Sequence, residues 1–252
     1  MPTTHALETT HAGAERPDRF ANPYEVRDRH RPAQHWALAT PPAASIVPPM
    51  SLPEPDPDAV SRFLYEVGAL KRTPRSGWNL LGVRVAESVA DHSLRTAVIG
   101  WCLARLEGVD AERTATLCLF HDLAEARIGD PHGLARRYVP REAEELARDE
   151  ATDALPGALA GPLHELHGEY GDGGTHEARL AHDADRLECL LQAREYAALG
   201  VAGADVFAHN ALARIVSPVA RELAERCLEM DPDAWWQEAV APAVAAPVGA
   251  PS

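Results

Sequence analysis

Three short segments of the 252-residue chain carry histidines and carboxylates at spacings that could do chemistry. Residues 87–93 contain Glu87, Asp91 and His92. Residues 120–130 contain His121, Asp122, Glu125 and Asp130. Residues 182–188 contain Asp183, Asp185 and Glu188. The middle segment is the most telling, because His121 and Asp122 interrupt the apolar run of Ala115, Leu117, Cys118, Leu119, Phe120 and Leu123. Burying a carboxylate beside an imidazole is costly unless something compensates. A divalent cation compensates, taking neutral imidazole nitrogen and anionic oxygen together. Mixed His and Asp ligation suits Mn, Fe, Co or Zn rather than a thiolate site. Glu125 follows His121 by four residues, which on a continuous helix puts both on one face, within reach of a water on such an ion. His92 lies near the start of an amphipathic helix, and Asp185 borders an apolar stripe where a solvated carboxylate would be out of place. Each residue taken singly has a plainer role. A histidine beside an apolar face can be a hydrogen-bonded core residue. Asp122 can pair with an arginine of a neighbouring helix, and Asp185 can pair with Arg186 or cap a turn. The order H…HD…D on successive helices is the more specific signal.

The elements that must position these groups are helical. Phe63, Leu64, Val67 and Leu70 recur at three- and four-residue steps, as do Val89, Leu94, Ala97, Val98, Trp101 and Cys102. The run from Ala115 to Leu123 is apolar nearly all round and predicts a central buried helix. Residues 141–155 form a charged amphipathic helix that ends before Pro156. Thr175 can cap a helix carrying Leu180, Ala184, Leu187, Leu190 and Leu191. Residues 214–230 predict another. Alternating strand patterns are absent, so the expected class is an all-α bundle. Residues 1–52 are broken by Pro41, Pro42, Pro48 and Pro49 and predict a disordered arm, residues 53–238 the bundle, and residues 239–252 a low-complexity tail.

Composition narrows the function classes. A net charge of −14 argues against a binder of nucleic-acid polymers, but not against a small anionic substrate, because a bound cation inverts the field of an acidic pocket. Cys102, Cys118, Cys189 and Cys227 form no C-x-x-C pair and read as buried reduced thiols. No secretory signal and no membrane span are visible, so a cytoplasmic protein is expected.

The H…HD…D order with its flanks resembles the HD superfamily of metal-dependent phosphohydrolases, closest to the branch of bacterial 5′-deoxynucleotidases and eukaryotic HD-domain-containing proteins. The likeness runs over roughly residues 60–200. It is carried by Arg75, Gly77 and Trp78, by Glu87 to Ser93, by His121 to Asp130 and by Glu177 to Glu188. The resemblance implies His92, His121, Asp122 and Asp185 as ligands of one divalent transition metal, Glu125 and Asp130 as catalytic acidic residues, and Arg75 and Trp78 as substrate contacts. Trp78 can instead pack against the first helix. The resemblance further implies a homodimer and a small-molecule nucleotide substrate, a nucleoside 5′-monophosphate, deoxyribose-like or modified in a specialised pathway. Alternatives are hydrolysis of nucleoside di- or triphosphates, a degenerate HD fold acting as a binding module, and a di-iron oxygenase of the same fold. His132 would be the extra ligand for the last, because relatives usually carry an apolar residue there. His164, His167, His176 and His182 are expected to face solvent.

Overall fold

The computed structural model describes residues 56–240. The expected arm over residues 1–52 lies outside the described residues, as does the expected tail beyond residue 240. Among the described residues there are ten α-helices and no strand.

Helix α1 (Pro57–Val67) starts with Pro57, whose fixed φ suits the first turn, and is capped by the Asp56 carboxylate, which accepts from the Asp58 and Ala59 amides. A loop with a 3₁₀ turn at Ser76–Leu81 leads to α2 (Val89–Glu107). There Ser88 and Asp91 form a reciprocal capping box, so the Asp91 that precedes His92 is a cap. Then follow α3 (Ala111–Phe120), the single turn α4 (Glu125–Ile128), α5 (Arg141–Thr152), α6 (Gly157–Asp172) and the long α7 (His176–Ala198), capped by Thr175. The described chain closes with α8 (Ala204–Leu212), α9 (Pro218–Glu229) and α10 (Ala234–Val240).

Helix α7 runs through the middle and packs on α2, α3 and α8. Its buried face carries Leu180, Ala181, Ala184, Leu187, Leu190 and Ala193, which meet Val89, Leu103, Leu117 and Cys118. Small residues bring these helices close. A Cβ at Gly100 of α2 would stand 2.5 Å from Cys118 Sγ and 3.6 Å from the Ala184 Cβ, so only glycine admits this approach.

Several expectations change. Leu94, Val98 and Trp101 of α2 point outward, 64%, 57% and 45% exposed, while the buried face holds His92, Ser93, Thr96, Gly100, Leu103 and Ala104. The apolar rhythm of α2 marks its outer side, because the inner side is given over to polar and small residues around the site. The helix expected through Leu123 ends at Phe120, and residues 121–124 form tight turns. The helix expected from residue 214 begins at Pro218, capped by Ser217. Helices α6 and α8 lay outside the expected pattern. All four cysteines are free, as expected, but Cys102 is exposed and Cys189 and Cys227 are half-buried.

Candidate active site

The turn after α3, the middle of α7 and the first turn of α2 converge on one point. His92 is wholly buried, and its Nε2 lies 3.2 Å from Asp185 Oδ1 and 3.8 Å from Asp122 Oδ2. His121 Nε2 lies 3.0 Å from the same Asp122 oxygen. One ligand atom each from His92, His121 and Asp185 falls within a 4.8 Å group. An ion bound at about 2.1 Å would hold adjacent ligands about 3 Å apart, so these separations fit a shared cation. Hydrogen bonding fits as well. His121 Nδ1 donates to the Cys118 carbonyl at 2.6 Å, which in the neutral ring leaves the lone pair on Nε2. That Nε2 is buried and has no hydrogen-bond partner. An orphaned imidazole lone pair beside two carboxylates is the chemistry of a metal ligand set.

Arg75 reaches the same carboxylates from the loop before α2. Its Nη1 donates to Asp122 Oδ2 at 3.2 Å and lies 3.6 Å from Asp130 Oδ1, and its Nη2 lies 3.9 Å from Asp185 Oδ1. The loop is pinned at both ends. The Arg75 amide donates to the Glu87 carbonyl and the Val89 amide to the Thr73 carbonyl, both at 2.9 Å. Asp130 accepts from the Ser76 amide at 2.6 Å, and its carbonyl accepts from the Ser76 hydroxyl. One Asp130 oxygen is therefore committed to holding the Arg75 loop.

Glu125 is 3% exposed although its helix is only one turn long. The turns at residues 121–124, rather than a continuous helix, bring it beside Asp122. Its amide donates to the Asp122 carbonyl at 3.0 Å. Its Oε1 faces Arg136 Nη2 at 3.3 Å, and its Oε2 is buried without a partner.

The charges are strongly biased. Burial, Asp122 and Asp130 push the Glu125 carboxyl up to about 10, against Arg75 and Arg136. Burial and Arg75 disfavour a charged His92, but Asp185 and Glu188 outweigh them and raise it to about 10. Asp122 and Asp185 resist the burial that would raise them. His121 and Arg75 hold the first well below the usual carboxylate range, and His92 above all holds the second there.

Other residues stand elsewhere than expected. Trp78 is 3% exposed, with Tyr196 and Phe207 packed on its ring at centroid distances of 5.0 and 5.2 Å, and its Nε1 donates to Glu87. That burial gives Trp78 a packing role and leaves little of its ring open to the expected base contact. His132 Nδ1 accepts from the Ala135 amide, and among the described residues His132 belongs to neither candidate metal group. His167 is buried and bonds the Phe120 carbonyl, and His182 is half-buried and bonds the Tyr170 carbonyl, so neither faces solvent. His164 and His176 are exposed. Two residues that sequence reasoning missed, the buried Glu188 and the half-buried Tyr170, stand against the site. Glu188 meets His92 Nδ1 at 2.5 Å, and Tyr170 lies against the His121 ring at 5.2 Å. Glu188 carried a signal, an acidic residue next to Leu187 and Leu190 in an apolar stripe. Tyr170 carried none.

A family model described as HD domain matches residues 67–226. The mouse protein named 5′-deoxynucleotidase HDDC2 is 39% identical over 137 residues, covering 54% of this chain and 68% of that one. Its namesake in Dictyostelium discoideum is 37% identical over 143 residues, covering 53% and 75%. Among solved structures, a conserved hypothetical protein from Pyrococcus furiosus is 34% identical with a TM-score of 0.59, covering 68% of this chain and 99% of that one. A predicted metal-dependent phosphohydrolase from Magnetospirillum magnetotacticum is 28% identical with a TM-score of 0.54, covering 68% and 90%.

Proposed function

The chain belongs to the HD-domain family, and from that premise we propose that it is a metal-dependent 5′-deoxynucleotidase. In this reading it hydrolyses a nucleoside 5′-monophosphate to a nucleoside and orthophosphate. The observation that carries the reading is the buried, unpartnered Nε2 of His121 set among His92, Asp122 and Asp185, with the unpartnered Oε2 of Glu125 nearby. His92, His121, Asp122 and Asp185 would hold one divalent cation of the Mn, Fe, Co or Zn class. When bound, the ion supplies Lewis acidity toward a phosphoryl oxygen and acidifies water.

The chain's own residues do the rest. Arg75 presents a fork whose N–H groups suit phosphate oxygens, on a loop fixed by Asp130 and by the pairing of residues 73–75 with 87–89. With a cation offsetting the Asp122 charge that helps keep Glu125 protonated, Glu125 Oε2, free of any donor, would take the proton of the attacking water while Arg136 steadies its other oxygen. Bond formation from the water oxygen to phosphorus and cleavage of the phosphorus–O5′ bond then complete the exchange, with the departing 5′ oxygen taking up the proton that Glu125 received. The name of the mouse relative supports the deoxynucleotide preference. The homodimer draws support from the exposed outer face of α2, and a solution mass of 27.2 kDa, that of one chain, would remove it. No described helix is long and apolar enough to cross a membrane.

The test is a panel of substrates given to protein reloaded with single metals. Orthophosphate release from deoxynucleoside monophosphates in preference to ribonucleotides is the expected result. Pyrophosphate or triphosphate release from longer nucleotides would replace the substrate class. Oxygen consumption with iron and no phosphate release would replace the chemistry.

A further inference from the structure

Behind His92, on the side away from the other proposed ligands, lies a second polar layer that the proposed reaction does not use. Glu188 is fully buried on α7, one turn beyond Asp185. Its Oε2 accepts from His92 Nδ1 at 2.5 Å. Its Oε1 accepts from Arg95 Nε at 3.0 Å and from Arg95 Nη2 at 2.8 Å, a fork on one oxygen. Arg95 stands one turn beyond His92 on α2 and is 31% exposed. Two more of its N–H groups go to Glu195 Oε1 at 2.6 Å and Gln192 Oε1 at 2.9 Å. Glu87 closes the rear, held by Trp78 Nε1. Glu87, His92 and Glu188 could themselves be read as a cation site. The Nδ1–H and the guanidinium already fill the atoms such an ion would need.

We propose that Glu188 and Arg95 are positioning residues for the metal centre: Glu188 keeps the His92 proton on Nδ1 so that Nε2 presents its lone pair, and Arg95 locks Glu188 in place. This inference rests on the reading of His92 as a ligand. A neutral imidazole carries one N–H, and the carboxylate decides which nitrogen has it. The Nε2 lone pair then points between Asp185 and Asp122, a position that a bound cation, or in its place a proton, makes favourable. A carboxylate behind the ring also makes that nitrogen a stronger donor. His121 is held differently, by the neutral Cys118 carbonyl. The two imidazoles are thus unequal ligands, with His92 the more basic. Arg95 balances the charge of Glu188, which would be costly to bury alone.

The experiment measures metal affinity by chelator competition on stripped full-length protein reloaded with zinc, and reads the His92 Nδ1 proton and imidazole nitrogens by NMR. Wild type is expected to load one ion, with a strongly deshielded Nδ1 proton. Glu188→Gln should weaken affinity roughly 10–100-fold and move that resonance upfield. Arg95→Met should shift both in the same direction by less, Arg95→Lys should recover part of the loss, and the double variant should be no weaker than Glu188→Gln alone. Unchanged affinity and resonance in Glu188→Gln would overturn the proposal while leaving the ligand reading intact. Should that variant not fold, the Arg95 pair decides, and wild-type affinity and resonance in Arg95→Met overturn it. A wild type that takes up no ion, or a His92→Ala protein of full affinity, would remove the ligand reading and this inference with it.

Discussion

Asp183 and Asp185 sit two residues apart on α7, and their surroundings are opposite. Asp183 is 1% exposed, and its carboxylate accepts from the Val216 amide at 3.0 Å, the Ser217 amide at 2.7 Å and Arg186 Nη1 at 2.9 Å. It fastens the turn that starts α9, where Ser217 is the cap. Asp185 faces the other side of α7 and meets His92 Nε2 at 3.2 Å and Arg75 Nη2 at 3.9 Å. Among the described residues, no backbone amide reaches it. The difference teaches which carboxylates hold a fold and which await something. A saturated carboxylate is structural. Several carboxylates converging on an imidazole with no donor for its lone pair form a site.

The comparison is broken most decisively at Asp122, whose Oδ2 is the oxygen shared by His92, His121 and Arg75. Asp122→Ala should abolish both metal binding and turnover while the protein stays folded. Metal analysis, phosphate release and circular dichroism check this together. An Asp122→Ala protein that is metal-free yet fully active would sink the site. The next effect belongs to Glu125. Glu125→Gln should keep the ion and lower kcat by roughly 10²–10⁴-fold, the usual contribution of a proton-transferring group. Loss of the ion in this variant would make Glu125 a ligand instead.

The structural member of the pair should respond in the opposite sense. Asp183→Ala leaves the amides of Val216 and Ser217 without their acceptor and Arg186 without its partner. A cost of about 3–5 kcal/mol is expected from breaking a buried charge pair of this kind, measured by denaturant unfolding of the metal-loaded protein. Metal stoichiometry and kcat of the folded fraction should stay near wild type. A variant of normal stability that loses its ion would erase the distinction between the two aspartates.

The same distinction explains what the sequence disclosed. The spacing H…HD…D, the caps at Ser88 and Thr175 and the helical class were legible because they are local or periodic. The apolar stripe of α7 also marked Asp185, whereas nothing near Asp183 announced its partners Val216 and Ser217. Partner sets were not legible, because they depend on distant residues. Nothing near Trp78 announces Tyr196 and Phe207, more than a hundred residues away. Nothing near His92 announces Glu188. The outward turn of Leu94, Val98 and Trp101 was hidden for a related reason. A helix that lines a polar site buries its polar face, and periodicity alone cannot say which face is inward.

The smallest expected effect is a pH dependence of the metal site, read without mutation. In metal-stripped protein the folded chain holds protons at His92 and Glu125 up to about 10. The unfolded chain releases them near the ordinary values of about 6.5 and 4.3. Between those values and about 10 the folded state binds more protons, so stability must fall as pH rises. The His92 contribution is full below about 6.5 and is lost through about 10, and the buried Glu125 adds a penalty that grows over the same window. Asp122 and Asp185, held low, act with the opposite slope, but only in acid below the usual carboxylate range. A bound cation competes with the His92 proton, so metal affinity should rise with pH and the stripped protein's loss of stability should be offset. Thermal unfolding of stripped and zinc-loaded protein between pH 6 and pH 9 checks both. The gap in Tm between them should widen with pH. A gap that narrows would mean that the ion does not displace the proton on His92.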